Sequence, residues 1–148
     1  MFSPMTSPFS AAEQEQIIDA IRRAEQATSG EIRVHVEAHC PSPDPVQRAV
    51  EVFQRLGMHE TKLRNGVLFY LAHEDRKFAI VGDQGINKQV PANFWESTKN
   101  LMRGFFANTQ YVEGLRQGIG RAGQQLTQYF PYDGATDTNE LPDDISFS

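Results

Sequence analysis

Asn65-Gly66-Val67-Leu68-Phe69-Tyr70-Leu71-Ala72-His73-Glu74-Asp75-Arg76-Lys77-Phe78-Ala79-Ile80-Val81-Gly82-Asp83-Gln84-Gly85 is the stretch that decides the fold. The apolar run Val67–Ala72 is long enough for a strand and too short for a helix standing alone. It is apolar on both alternations, which predicts cover on both faces, as in the middle of a helix-flanked sheet. His73 to Lys77 then turns the chain, and Phe78–Val81 returns antiparallel to the first run. Gly82-Asp83-Gln84-Gly85 places an acid at the strand end between glycines, where backbone or ligand can approach closely.

Upstream, Ser10 followed three residues later by Glu13 reads as a capping box opening a helix. Ile17, Ile18, Ile21 and Ala24 recur at helical spacing, and Gly30 is expected to end the helix as a left-handed cap. From Glu31 the period changes to two, with Ile32, Val34, Val36 and Ala38 on one side and Arg33, His35, Glu37 and His39 on the other. That alternation predicts a half-buried strand. Asp44-Pro45 is an N-cap followed by proline at the first helical position. The second helix is expected to turn Val46, Ala49, Val50 and Phe53 inward and to end at Gly57. Strand, helix and strand in this order make the first two strands parallel, joined by a right-handed crossover.

Beyond Gly85 the chain reads as helical again near Pro91, with Phe94, Leu101 and Phe105 as core contacts. A last helix, Tyr111 to Tyr129, carries Leu115, Ile119, Ala122 and Leu126 inward, followed by Phe130. Residues 1–9 read as a flexible lead-in, 10–130 as the domain and 131–148 as an acidic tail. The tail has too few apolar residues for a core of its own, although Leu141, Ile145 and Phe147 are available to dock on the domain or on a partner.

The 148 residues suffice for a single domain with a real core that needs neither metal nor disulfide. A net charge of −5 and no basic stripe argue against nucleic acid and against an anionic membrane surface. The single Cys40 forms no internal disulfide, and the N-terminus lacks the basic and apolar regions of a signal peptide. No run approaches a membrane span, so the sequence predicts a soluble, cytoplasmic protein.

Thr28-Ser29-Gly30-Glu31-Ile32, Asn65-Gly66-Val67-Leu68, Asp75-Arg76-Lys77 and the Gly82–Gly85 turn fall in the order and spacing of the TPM domain. The chain resembles that family over roughly residues 10 to 130. The family includes a thylakoid-lumen protein of photosystem II repair and many bacterial proteins, and this chain looks like its short, soluble bacterial branch without signal peptide or membrane anchor. The resemblance implies a three-layer α/β/α sandwich with a small mixed sheet, a β-α-β crossover plus an antiparallel hairpin, flanked by about four helices. It implies divalent cations, calcium above all, at acidic loops near the motifs. From the plant member it implies weak acid-phosphatase activity. Two departures stand out: many members carry Asp where this chain has Arg64, and Gly-Tyr-Gly where it has Gly82-Asp83-Gln84-Gly85.

The strand directions sort the motif residues into two groups. Glu31, Asn65 and Asp83 belong to one end of the sheet and offer two carboxylates and an amide carbonyl, hard oxygen donors that suit calcium or, second to it, another divalent ion. The plainer alternative is that all three serve their turns. Glu74 and Asp75 at the hairpin tip are the second candidate pair, with Arg76 beside them; a turn-forming Asp75 paired to Arg76 is the plainer alternative. His35, Glu37 and His39 with Cys40 are a weaker zinc reading, lacking an evident fourth ligand, against a strand face simply turned to solvent.

Gly118-Ile119-Gly120-Arg121-Ala122-Gly123 matches the dinucleotide fingerprint in letters. It follows no strand, so close helix packing is the expected meaning. Cys40 has no poised base, and Trp95 reads as a core or groove aromatic. No nucleophile elbow, P-loop or His-Glu-x-x-His occurs.

The expected function is a cation-binding module acting through a protein partner, with the acidic tail as the partner-binding segment. The alternative is a weak metal-assisted phosphatase in which Glu31, Asp75 and Asp83 hold the ion and Arg76 steadies phosphate.

Overall fold

The computed structural model describes residues 7–134 and 140–148. Along the chain run helix α1 (Ala11–Glu25), strand β1 (Glu31–Glu37), helix α2 (Pro45–Arg55), strand β2 (Gly66–Ala72), strand β3 (Lys77–Gly82), the one-turn helix α3 (Gln84–Asn87), helices α4 (Glu96–Ala107) and α5 (Tyr111–Leu126), and strand β4 (Ile145–Phe147). The strands form one mixed sheet in the order β3-β2-β1-β4. β1 and β2 are parallel, with Glu31 opposite Gly66 and Glu37 opposite Ala72. β3 is antiparallel to β2, and Val67 faces Gly82.

β2 is buried along its whole length, as an unbroken apolar run requires. On one face, α1, α4 and α5 pack through Ile17, Ile21, Met102, Phe106, Leu115 and Ile119 onto Val34, Phe69 and their neighbours. On the other, α2 covers Leu68, Tyr70 and Ala79 with Ala49, Val52 and Phe53. Helices on both faces of the sheet make a three-layer α/β/α sandwich. Each fully buried aliphatic side chain contributes about 1.5–3 kcal/mol, so these two clusters dominate stability.

Several local signals are realised atom for atom. Ser10 Oγ accepts the Glu13 N–H at 3.1 Å while Glu13 Oε1 accepts the Ser10 N–H at 2.9 Å, closing the capping box. Asp44 caps α2 at the Val46 N–H, and Gly57 leaves that helix with φ +68°. Gly85 is where the backbone crowds: a Cβ there would stand 2.1 Å from the Leu63 carbonyl oxygen and 2.5 Å from that of Arg64.

Other expectations are corrected. Gly30 is not a left-handed cap; α1 stops at Gln26 in a right-handed conformation. On α2 the buried positions are Arg48, Ala49, Val52 and Phe53, whereas Val46 and Val50 are 46% and 39% exposed. The buried apolar residues of α4 are Met102 and Phe106, one place beyond Leu101 and Phe105.

β1 is buried at all seven positions rather than on one side. Its polar face lies under α2 and beside β4, which runs parallel to β1 with Val34 opposite Ile145 and Val36 opposite Phe147. Leu141 and Ile145 are buried on the domain. Among the described residues no helix is long and apolar enough to cross a membrane.

Candidate functional site

The two ends of the sheet carry different polar groups, as the strand directions require. At the first end, the Glu31 N–H donates to the Asn65 carbonyl at 3.1 Å and the Asp83 N–H to that of Gly66 at 2.9 Å, which brings the three turns together. Glu31 opens β1 and is buried. Its carboxylate accepts the main-chain N–H of Glu140 at 2.9 and 3.0 Å and of Leu141 at 2.8 Å. Asn65 is 3% exposed. Its Nδ2 donates to the Ser29 carbonyl at 2.8 Å, and its Oδ1 is buried with no hydrogen-bond partner.

Asp83 is engaged differently. It caps α3 by accepting the Gln84 N–H at 2.7 Å, and Arg64 clasps it with Nε at 2.8 Å and Nη2 at 3.0 Å. The two positions at which this chain departs from the motif pattern therefore face each other as an ion pair. A carboxylate already held by a bidentate guanidinium is a poor cation ligand.

Sequence reading missed two acids at this end. Glu25, on the last turn of α1, accepts the Ile32 N–H at 2.8 Å. It shares a cavity of about 280 Å³ with Arg22, Ser29, Gly30, Glu31, Tyr132 and Asp143. Burial, followed by a hydrogen bond with Asp143 and the negative charges of Asp143 and Glu31, pushes the Glu25 carboxyl up to about 9. The loop beneath is stapled in place: Thr28 Oγ1 donates to the Phe130 carbonyl, and the Ser29 N–H reaches the same oxygen at 2.9 Å. Asp143 lies 118 positions from Glu25 in the numbering, and no periodicity links them.

At the opposite end, Asp75 accepts from His39 Nδ1 at 2.9 Å and from the Cys40 N–H at 2.7 Å. Those bonds hold the Asp75 carboxyl below its usual range and raise His39, the hydrogen bond leading in both. Arg76 takes the left-handed turn position at φ 54° and makes no bridge to Asp75. Glu74 is exposed and forms no side-chain hydrogen bond. Six strand steps separate this end from Glu31, about 20 Å. Glu31 and Asp83 therefore do not meet Asp75 around one ion. Among the described residues, no group of three or more His, Cys, Asp and Glu side chains is arranged as a metal site.

The His35, Glu37, His39 and Cys40 reading is also corrected. Glu37 accepts from Arg48 Nε at 2.8 Å and Nη2 at 3.0 Å, from Ser148 Oγ at 2.8 Å and from the Tyr70 hydroxyl. Burial pushes its carboxyl up, but the bonds from Arg48, Tyr70 and Ser148 outweigh it and hold it at about 2. His35 stacks on Tyr70 with rings 6.2 Å apart and joins Ser146 and Ser148 through its two nitrogens at 2.9 and 2.8 Å. Burial lowers it to about 4. His35 and Glu37 are thus satisfied internally and anchor β4 and α2 to β1, whereas His39 turns to Asp75 of the hairpin.

Gly118 and Gly123 pack against Met102 and Ala24, while Gly120 faces open space; the glycine motif serves helix packing.

Fold and site together define a small α/β/α domain whose polar loops gather at the ends of a mixed sheet. The chain belongs to the TPM domain family, whose model matches residues 5–125. It is similar to the BA42 protein of the psychrophilic bacterium Bizionia argentinensis, with 45% identity, 99% of this chain and 100% of that one covered, and a TM-score of 0.90. The N-terminal domain of the cg2496 protein from Corynebacterium glutamicum superposes at TM-score 0.65 with 14% identity, covering 95% of this chain and 81% of that one. An N-terminal domain from P. gingivalis does so at 0.66 with 21% identity, covering 82% and 78%. These last two share the fold. No curated protein matches the chain.

Proposed function

We propose that this TPM domain is a binding module for a divalent cation, calcium first, at the end of the sheet where Glu31 and Asn65 stand. The observation that supports this reading is the buried, unpartnered Asn65 Oδ1 beside the Ser29–Glu31 turn, with Glu25, Glu31 and Asp143 lining the adjoining cavity. Carboxylate, amide and main-chain oxygens are the donor set that calcium takes, and a cation relieves the crowding that otherwise keeps Glu25 protonated. Asp83, Glu74 and Asp75 stand outside this reading. Two are committed to Arg64 and His39, and Glu74 is open to solvent.

A partner would sense the ion through residues 140–148. Glu31 grips the main chain of Glu140 and Leu141, so the ion and the start of this segment meet at one carboxylate. The test is a calcium titration of metal-free protein followed by amide shifts. Saturable shifts at Glu25, Ser29–Glu31, Asn65 and Leu141–Asp143, with a gain in melting temperature, support the proposal. A flat titration at millimolar calcium overturns it.

A further inference from the structure

Four alternate side chains of β1 hold the segment 140–148. Glu31 accepts the main-chain N–H groups of Glu140 and Leu141 at 2.9 and 2.8 Å. Arg33 Nη2 donates to Asp144 at 3.2 Å. His35 meets the hydroxyls of Ser146 and Ser148 at 2.9 and 2.8 Å, and Glu37 accepts the Ser148 hydroxyl at 2.8 Å. The Ser148 N–H closes the row on the Val36 carbonyl at 3.1 Å. The polar row of β1 is thus a track for the segment. Its first rung, Glu31, also lines the cavity that Asp143 enters from the segment itself.

The hold is a light one. β4 is three residues long, and Leu141 and Ile145 are the two buried residues of the segment. They sit on opposite sides of the sheet, Leu141 in the cluster under α2 and Ile145 in the cluster under α1. Arg33 Nε stays buried with no hydrogen-bond partner even with the segment docked. A unit with so few buried apolar contacts opens before the sheet beneath it does.

We infer that residues 140–148 form a strap that the cation closes over the outer edge of β1. Closure rests on the cation site proposed above and regulates it. Glu25 and Glu31 belong to the body of the domain, whereas Asp143 reaches the cavity only with the strap in place. An ion there gains a third carboxylate in the closed state alone, so it binds that state more tightly and shifts the equilibrium toward it. Opening bares the edge of β1 and the seats of Leu141 and Ile145. The coupling is reciprocal, so loosening β4 weakens the ion's hold. This holds although Ile145 lies opposite Val34, three residues and about 10 Å along β1 from Glu31.

The test measures Ser148 amide exchange and calcium affinity on the full chain, native and with I145D or S146P, which leave every cavity side chain in place. Saturating calcium is expected to slow native Ser148 exchange about fivefold or more. Both variants should lose Ser148 protection while β2 amides stay protected, and their calcium affinity should fall about fivefold or more. Native protein that binds calcium with unchanged Ser148 exchange overturns the strap and spares the cation site. So does an open variant that binds calcium as tightly as the native chain. Two variants that both stay closed, or both unfold throughout, overturn it as well, since the segment is then no separate unit. A flat calcium titration of the native chain removes site and strap together.

Discussion

Arg64 and Asp83 form a two-pronged ion pair across the loop that joins α2 to β2 and the turn that starts α3, at 2.8 and 3.0 Å. Arg64 sits there with φ 50°, and its carbonyl accepts the Gly85 N–H at 2.9 Å. Side chain and main chain of one residue thus hold both ends of the Asp83–Gly85 turn. Asp83→Ala removes a helix cap as well as the pair, for which a loss of about 1 kcal/mol from the cap alone is expected. Arg64→Ala lowers the melting temperature less. The double variant falls short of the sum of the two, and a thermal denaturation cycle reads that coupling.

Arg48→Ala strands the Glu37 carboxylate under α2 with one counter-charge gone. A loss of about 3–5 kcal/mol in urea unfolding is expected, because the remaining charge stays buried. The pair Glu37→Gln with Arg48→Met, uncharged and close in volume, recovers a large part of that loss because no unpaired charge stays buried.

His35 makes stability depend on pH. It is held neutral, lowered to about 4 from an unfolded value of 6.5. Between those values the unfolded chain binds the extra proton, so stability falls as pH drops from 6.5 toward 4, by up to roughly 3 kcal/mol. His35→Gln flattens the urea midpoint against pH across that window. Glu37, held at about 2, adds its own loss only below pH 4.5.

Glu25 works in the opposite direction. Its carboxyl is raised to about 9, so the folded chain binds the extra proton from pH 4.5 upward and metal-free stability declines as pH rises through that range. A calcium ion bound in the cavity, as proposed, would displace that proton. The apparent affinity is therefore expected to rise with pH toward 9, and calorimetry in buffers of different ionisation heat should detect one proton released per ion. Glu25→Gln removes the proton release and weakens binding severalfold.

Two glycines separate packing from motif. Gly120→Ala, with open space at its Cβ, should raise stability by about 0.5–1 kcal/mol through helix propensity. Gly85→Ala pushes a methyl into the Leu63 and Arg64 carbonyls and should abolish soluble folded protein. Expression and thermal unfolding of both variants check this.

The parts of the fold visible in the sequence are those fixed by neighbours. The Ser10 box, the Asp44-Pro45 start, the two-sided β2 and the hairpin each depend on residues a few places apart. The adjacency of Glu31, Asn65 and Asp83 followed from strand direction alone. The buried polar face of β1 was hidden because alternation distinguishes two faces without saying what lies over them, and here Arg48 and the Tyr70 hydroxyl replace water. β4 and Asp143 were hidden because Ile145–Phe147 is three residues long and its partner strand lies 111 positions away in the register. The inward face of α2 was misjudged because valines were expected inside, and β3, being an edge, leaves Val46 and Val50 uncovered.

The placement of β4 also sets an order of events in synthesis. β1 emerges early and finds β2 after a short crossover, but its other side waits until Ile145–Phe147 have been made. Until then the nascent sheet has two open margins rather than one, and His35 and Glu37 sit at the unfinished one without their serine partners. Closing that margin is a long-range step whose chain-entropy toll falls at the end of folding. The last strand is thus the latch of the domain, and the period before it closes is when the young chain is most prone to pair with the wrong strand.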